Sequence, residues 1–225
     1  QYTAEYEVPE HLLAKAREVG AKLIYLSNPD NPMGTWHSAA TIQRMIESVP
    51  RDCLLVLDEA YVELAPDGTA PAINTNDARV IRLRTFSKGY GMAGARVGYA
   101  LGHKTLISAF NRVRNHFGMS RISQAGALEA LADQDWLGDV CDKVEAARTT
   151  LCQIAEDNGL KAIPSATNFV AIDCGQDGEF ARAVLNALID MGIFVRMPFV
   201  APHDRCIRIS CCTPTDMTLV AKPFA

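Results

Sequence analysis

The stretch from Val80 to Gly102, VIRLRTFSKGYGMAGARVGYALG, decides how the chain is read. Its opening run, Val80-Ile81-Arg82-Leu83-Arg84, is β-branched enough to predict a buried strand, and Val97-Gly98-Tyr99-Ala100-Leu101 predicts a second. Between the two lie Thr85, Ser87, Lys88 and Arg96. A lysine just past the end of a strand, behind two hydroxyls and ahead of glycines, sits where open α/β sheets hold their ligands, at the carboxyl ends of the strands.

The same stretch spells G-x-G-x-x-G in Gly89-Tyr90-Gly91-Met92-Ala93-Gly94. A dinucleotide site would also need a helix opening within the glycines and an acid about 20 positions on to hold the ribose. Neither is present: residues 107–115, ISAFNRVRN, hold no acid, and the pattern returns to strand soon after Gly94. A surface lysine in a glycine-rich loop would look the same locally, so the flanking sequence has to decide.

Upstream, Pro9 opens a helical pattern through Leu12, Leu13, Ala16 and Val19 that Gly20 closes. Lys22-Leu23-Ile24-Tyr25-Leu26 predicts a strand running into the turn-rich Ser27-Asn28-Pro29-Asp30-Asn31-Pro32-Met33-Gly34. Ser38 is placed to cap a helix through Ile42, Met45 and Ile46 that stops at Pro50. Cys53-Leu54-Leu55-Val56-Leu57 is a continuous apolar run, the pattern of a parallel strand covered on both faces, and it ends in Asp58-Glu59-Ala60-Tyr61. Three successive strands therefore deliver polar groups at their carboxyl ends: Asn31, then Asp58 with Tyr61, then Thr85, Ser87 and Lys88. One pocket rim would collect them all.

Downstream, helices are expected through Leu106–Val113 and Ser123–Leu131, and a long one over residues 135–157 ends at Asn158-Gly159. Shorter elements follow: strands at Phe169-Val170-Ala171-Ile172, Ile193-Phe194-Val195-Arg196 and Cys206-Ile207-Arg208-Ile209-Ser210, and a helix from Phe180 through Leu188. The fold class is α/β, a mostly parallel mixed sheet with helices on both faces plus a small α+β C-terminal domain.

With 225 residues, 48% of them hydrophobic, the chain can bury a sizeable core in one large or two smaller domains. A net charge of −4 and no basic run argue against nucleic acid or an anionic membrane as partner. No apolar stretch is long enough to span a bilayer and no secretory signal is visible. Seven cysteines without a C-x-x-C pair point to the reducing cytoplasm. His203, Cys206, Cys211 and Cys212 do not make a metal site, because a strand between them would scatter the ligands over two faces. Ser87 has no His/Asp partner pattern, which argues against a hydrolase nucleophile. The chain opens on Gln1, as expected of a processed chain or a part of something longer.

Five ordered motifs, Asn28-Pro29-Asp30-Asn31-Pro32-Met33-Gly34, Asp58-Glu59-Ala60-Tyr61, Thr85-Phe86-Ser87-Lys88 with Arg96, Thr167-Asn168-Phe169 and Ile207-Arg208-Ile209, resemble the fold type I pyridoxal-phosphate aminotransferases, and within them the histidinol-phosphate aminotransferase subgroup. The resemblance covers nearly the whole chain. It implies a large cofactor-binding unit over residues 1–146, incomplete at its N-terminus, joined through the long helix to a small unit over residues 147–225. It also implies a homodimer that binds pyridoxal 5'-phosphate and moves an amino group between a small-molecule amino donor and a 2-oxo acid by a ping-pong route. Histidinol phosphate leads as donor and aromatic amino acids follow. A decarboxylase of a phosphorylated amino acid and a non-catalytic regulatory module are the alternatives.

On this resemblance Lys88 holds the cofactor aldehyde as a Schiff base and moves the proton, Asp58 pairs with the pyridine nitrogen, and Asn31 and Tyr61 bond the ring hydroxyl. Arg96, Thr85 and Ser87 take the phosphate, while Arg208, Arg196 and Asn168 take the substrate. Met33 stands where the family has Thr, and Ser210-Cys211-Cys212 where it has a glycine. The family's upstream phosphate-binding loop and ring-stacking aromatic are not supplied by QYTAEYEV.

Overall fold

The computed structural model describes residues 7–221. Residues 1–6 and 222–225, which include most of QYTAEYEV and the outer ends of both expected units, lie outside the described residues.

Helix α1 (Pro9–Val19) has proline in its first turn, where no intrahelical N–H bond is lost, and closes on Gly20 at φ 63°. Strand β1 (Leu23–Ser27) follows, then α2 (Ala39–Ser48), whose first turn is capped by Ser38 Oγ accepting from Thr41 N–H. Strands β2 (Leu54–Asp58), β3 (Val80–Thr85) and β4 (Gly98–Gly102) complete a sheet of order β1-β2-β3-β4. The first three strands run parallel and β4 is antiparallel. Leu13, Ala16, Ile42 and Met45 press onto Ile24, Leu26, Leu55 and Leu57, so α1 and α2 close one face of β1 and β2. The other face is more open than the apolar run suggested: Leu54 and Val56 are half-buried, and Leu23 and Tyr25 are exposed.

Helices α3 (Lys104–Phe110) and α4 (Arg121–Ala132) lead to α5 (Gln134–Asp157), a helix of 24 residues. The second sheet, antiparallel in the order β5-β6-β7, is made of β5 (Lys161–Ala162), β6 (Phe169–Asp173) and β7 (Cys206–Ser210). Helices α6 (Gly178–Asp190) and α7 (Pro214–Ala221) pack around it. Its core joins Leu151, Ile154, Val170, Ile172, Leu188 and Ile207. The two ends of α5 serve different neighbours. Cys141 and Val144 pack with Tyr61, Leu64 and Phe169, while Leu151 and Ile154 belong to the second core.

The expected strand at 193–196 does not form. Only Arg196 pairs, in a single antiparallel bridge with Arg208. The chain turns at Gly192 (φ 79°), and the next hydrogen-bonding position toward β7 falls on Pro198, which has no N–H to give. Arg196 and Arg208 are still directly opposite one another, through Arg196 N–H to Arg208 O (3.1 Å) and Arg208 N–H to Arg196 O (2.6 Å). Directly paired residues project to the same side of a sheet.

The sheets are held against one another by the loop after β1. Met33 is fully buried among Ile163, Ala171 and Cys206, which lie on or beside the second sheet. Gly34 (φ 82°) donates nothing to that contact but gives its carbonyl to Ala166 N–H at 2.8 Å. A Cβ there would stand 2.4 Å from Ser165 Oγ.

Candidate active site

The parallel register sets Ser27 beside Asp58 and Asp58 beside Leu83, so β1, β2 and β3 finish almost level. What each strand carries beyond its end then meets at one place. The loop after β1 is fixed at its base by Asn28, whose Oδ1 accepts from His37 N–H (2.8 Å) and whose Nδ2 donates to His37 O (3.2 Å). The turn after β3 is folded by Thr85, whose hydroxyl donates to Val97 O (3.2 Å) and accepts from Ser87 N–H (3.1 Å).

Beneath the strand ends lies an ion cluster. Glu59 is buried, with Oε1 accepting from Arg82 Nε and Oε2 from Arg84 Nε, each at 3.0 Å. Arg82 also donates to Pro71 O at 2.8 Å. Arg82 and Arg84 sit two apart on β3 and so share a face, which lets one carboxylate grip both.

Above the cluster, Asn31, Asp58, Tyr61 and Lys88 line one pocket of about 260 Å³, together with Tyr25 and Asp30. Lys88 Nζ stands 4.9 Å over the Tyr61 ring centroid, and Tyr61 meets Phe169 edge to face with centroids 5.6 Å apart. The Arg208 guanidinium lies 4.5 Å from the Phe169 ring. Arg208 Nη1 donates to Asn31 Oδ1 at 2.6 Å, while Asn31 Nδ2 reaches Tyr61 Oη at 3.5 Å. Burial holds the Arg208 guanidinium below its ordinary value, and the charge of Arg196 adds to that effect.

Arg208, Arg196 and Asn31 line a second, larger cavity of about 740 Å³ whose other walls include Phe194, Met197 and Phe199. Asn31 belongs to both cavities. The remaining sequence-derived residues stand apart. Thr85, Ser87, Arg96 and Asn168 line neither cavity, and the Asn168 carbonyl accepts from Cys211 N–H at 2.8 Å. Arg96 is held at φ 55°, ψ 47°, and among the described residues no other non-glycine residue has a positive φ. Its Nη1 donates to Ala93 O at 2.9 Å. A left-handed arginine stores backbone strain, which the fold tolerates where a side chain must be aimed.

Tyr25 and Asp30 are among the pocket residues that the sequence alone does not mark as functional. Tyr25 donates to Asp58 Oδ2 at 2.6 Å, and a phenol inside an apolar strand was the signal for it. Asp30 is only 3% exposed. Its Oδ2 accepts from Met33 N–H (3.2 Å), and its Oδ1 has no hydrogen-bond partner. Burial raises its carboxyl from 3.8 to about 6, an effect partly offset by the backbone N–H groups that point at it.

These features coincide with one family. The chain belongs to the class I and II aminotransferases, whose family pattern matches residues 4–222. Among solved structures it is similar to the histidinol-phosphate aminotransferase of Sinorhizobium meliloti in complex with pyridoxal-5'-phosphate, at 50% identity and a TM-score of 0.95, over 98% of this chain and 61% of that one. It is 38% identical over 193 residues to the histidinol-phosphate aminotransferase of Geobacillus sp. (strain WCH70), covering 84% of this chain and 52% of the relative. It is 34% identical over 200 residues to the aromatic amino acid aminotransferase of Mycobacterium avium (strain 104), covering 84% and 56%. The chain thus spans about half the length of the curated relatives it matches. Among the described residues, no helix is long and apolar enough to cross a membrane.

Asp30 supplies a pH test of the site's architecture. A carboxyl raised in the folded state is ionised at a cost, so its contribution to stability falls as pH rises from about 4 to about 6 and stays lost above that. Asp30→Asn removes this loss while keeping an acceptor for Met33 N–H. Relative to wild type, the variant should gain up to about 3 kcal/mol on going from below pH 4 to pH 7. Urea unfolding at both pH values checks this, and a gain independent of pH would contradict the assignment.

Proposed function

We propose that this chain carries out pyridoxal-phosphate-dependent amino transfer, with an anionic amino donor and a 2-oxo acid as substrates. The observation that supports this most is convergence. An amine, a carboxylate, an amide and a phenol from the ends of three parallel strands line one small pocket, and the amide also lines a cavity with two arginines. That donor set fits the cofactor, with Asp58 for the ring nitrogen, Asn31 and Tyr61 for the ring hydroxyl and Lys88 for the aldehyde, while Arg96 and Ser87, outside the pocket lining, are assigned to the phosphate. When bound, pyridoxal 5'-phosphate supplies an aldehyde that captures amines and a protonated ring that draws electrons from the bond being broken.

The rest is the work of side chains. Lys88, half-buried on the pocket wall, provides the nucleophilic amine and then carries the proton removed from the substrate carbon. Asp58 holds positive charge on the ring nitrogen side, where a neutral residue would not. Thr85 acts indirectly, since its hydroxyl is committed to folding the lysine turn. Arg208 receives the donor's anion, and Arg196 across the bridge adds a second guanidinium suited to a phosphate. The apolar walls at Phe194, Met197 and Phe199 accommodate the donor's body, in keeping with histidinol phosphate or an aromatic amino acid.

The same reading assigns residues 1–146 to a cofactor-binding unit and residues 147–225 to a small unit, in a cytoplasmic homodimer. Seven free thiols suit a reducing compartment. Val113, Phe117, Ile122 and Leu128 are exposed apolar side chains, Phe117 at 95%, and a second copy would cover them. Sedimentation equilibrium should return twice the chain mass, and a monomer at micromolar concentration would remove this part of the reading.

Lys88→Ala should abolish transamination, and borohydride reduction of the cofactor-loaded wild type should label Lys88. Label on another lysine would reject its role, and carbon dioxide in place of a keto acid as product would replace transfer by decarboxylation.

The donor is decided by the arginines. Arg196→Ala should cost about 2 to 3 kcal/mol in kcat/KM for histidinol phosphate, the scale of one charge-assisted contact, and much less for an aromatic amino acid. Arg208→Ala should impair both. Equal losses for the two donors on removing Arg196 would exclude a phosphate site.

A further inference from the structure

In the β1–β2 register Tyr25 pairs with Val56 and Ser27 with Asp58. Residues two apart on a strand share a face, so Tyr25 and Asp58 stand on the same side of the sheet, one step apart along it. The tyrosine ring reaches forward over that step and places its hydroxyl 2.6 Å from Asp58 Oδ2. The other oxygen, Oδ1, accepts from Ala60 N–H at 3.0 Å. Ser27, the nearer hydroxyl in sequence, is engaged elsewhere, donating to Pro29 O at 2.9 Å. Each carboxylate oxygen thus has one fixed donor, which sets both the position and the plane of the group.

We propose that Tyr25 is a positioning residue of the candidate active site, its hydroxyl holding the Asp58 carboxylate so that it presents a fixed charged oxygen to the nitrogen of the bound ring. This rests on the reading of Asp58 given above. Packing does not account for Tyr25: the residue is 49% exposed and lies outside the buried core, yet its hydroxyl turns inward onto the pocket. The phenol also keeps its proton. Burial raises it well above the ordinary tyrosine value, followed by the hydrogen bond and the charge of Asp58, with Glu7 adding to the effect and Ser27 opposing it. Lys88 and Tyr61 are the remaining titratable groups on the pocket wall besides Asp30. Tyr25 is therefore held as the protonated donor to Asp58.

The test uses the full chain with Tyr25→Phe and Tyr25→Ala, alone and combined with Asp58→Asn. Removing only the hydroxyl should lower kcat about tenfold or more, the effect of one hydrogen bond to a charged group, with KM for the amino donor little changed because Tyr25 is absent from the arginine cavity. The affinity for pyridoxal phosphate, read by fluorescence quenching without substrate, should weaken several-fold. The thermal midpoint should not move. Phe and Ala should be equally damaging, and neither should add to Asp58→Asn.

Wild-type kcat and cofactor affinity in Tyr25→Phe, or losses additive with Asp58→Asn, would overturn the proposal. Either result with Lys88 still labelled by borohydride leaves the aminotransferase reading intact. Loss of that label in the wild type would instead remove the reading itself.

Discussion

One buried carboxylate sets the geometry on which the site depends. Glu59 follows Asp58 at the end of β2 and grips Arg82 and Arg84 near the end of β3. Breaking such a cluster by removing its acid leaves two guanidinium groups uncompensated, on the order of 3 to 5 kcal/mol for a buried pair. The cluster ties β2 to β3 at their carboxyl ends, and the proposed proton carrier Lys88 and its electrostatic partner Asp58 lie at or just past those ends. Parallel hydrogen bonding aligns the strands, while the ion cluster locks their ends.

Above it lie two cavities that share one amide. Asn31 meets Tyr61 on the small-pocket side and Arg208 on the large one, and a run of aromatic contacts from Lys88 through Tyr61 and Phe169 to Arg208 follows the same path. The small pocket is lined mainly by polar side chains, and the large one is mainly apolar with two guanidinium groups among its lining.

Much of this was legible in the sequence, because periodicity and strand-end position are local properties. The Pro9 and Gly20 limits of α1, the Ser38 cap and the convergence of Asn31, Asp58, Tyr61 and Lys88 all follow from residue order plus parallel pairing. What was hidden depends on contacts between distant segments. The run at 193–196 has the composition of a strand, but pairing stops where Pro198 would have to donate. Tyr25 reads as one more apolar strand residue, and only the register sets Asp58 one step along the same face of the sheet. The hydroxyl of Thr85 also closes a local turn, a role that its place in the motif does not reveal. Asp30 reads as an ordinary turn residue, and only burial beneath the loop changes its chemistry.

Gly34 gives the Asn-Pro-Met-Gly motif a meaning separate from ligand binding. It lies against Ser165 at a distance that leaves no room for a carbon, and its carbonyl is tied to Ala166. The motif is thus a joint, with Met33 as the pin seated against the second sheet and Gly34 as the bare face that lets the parts close. The close seating of the loop that carries Asn31 against Ser165 and Ala166 thus depends on a residue that lines neither cavity.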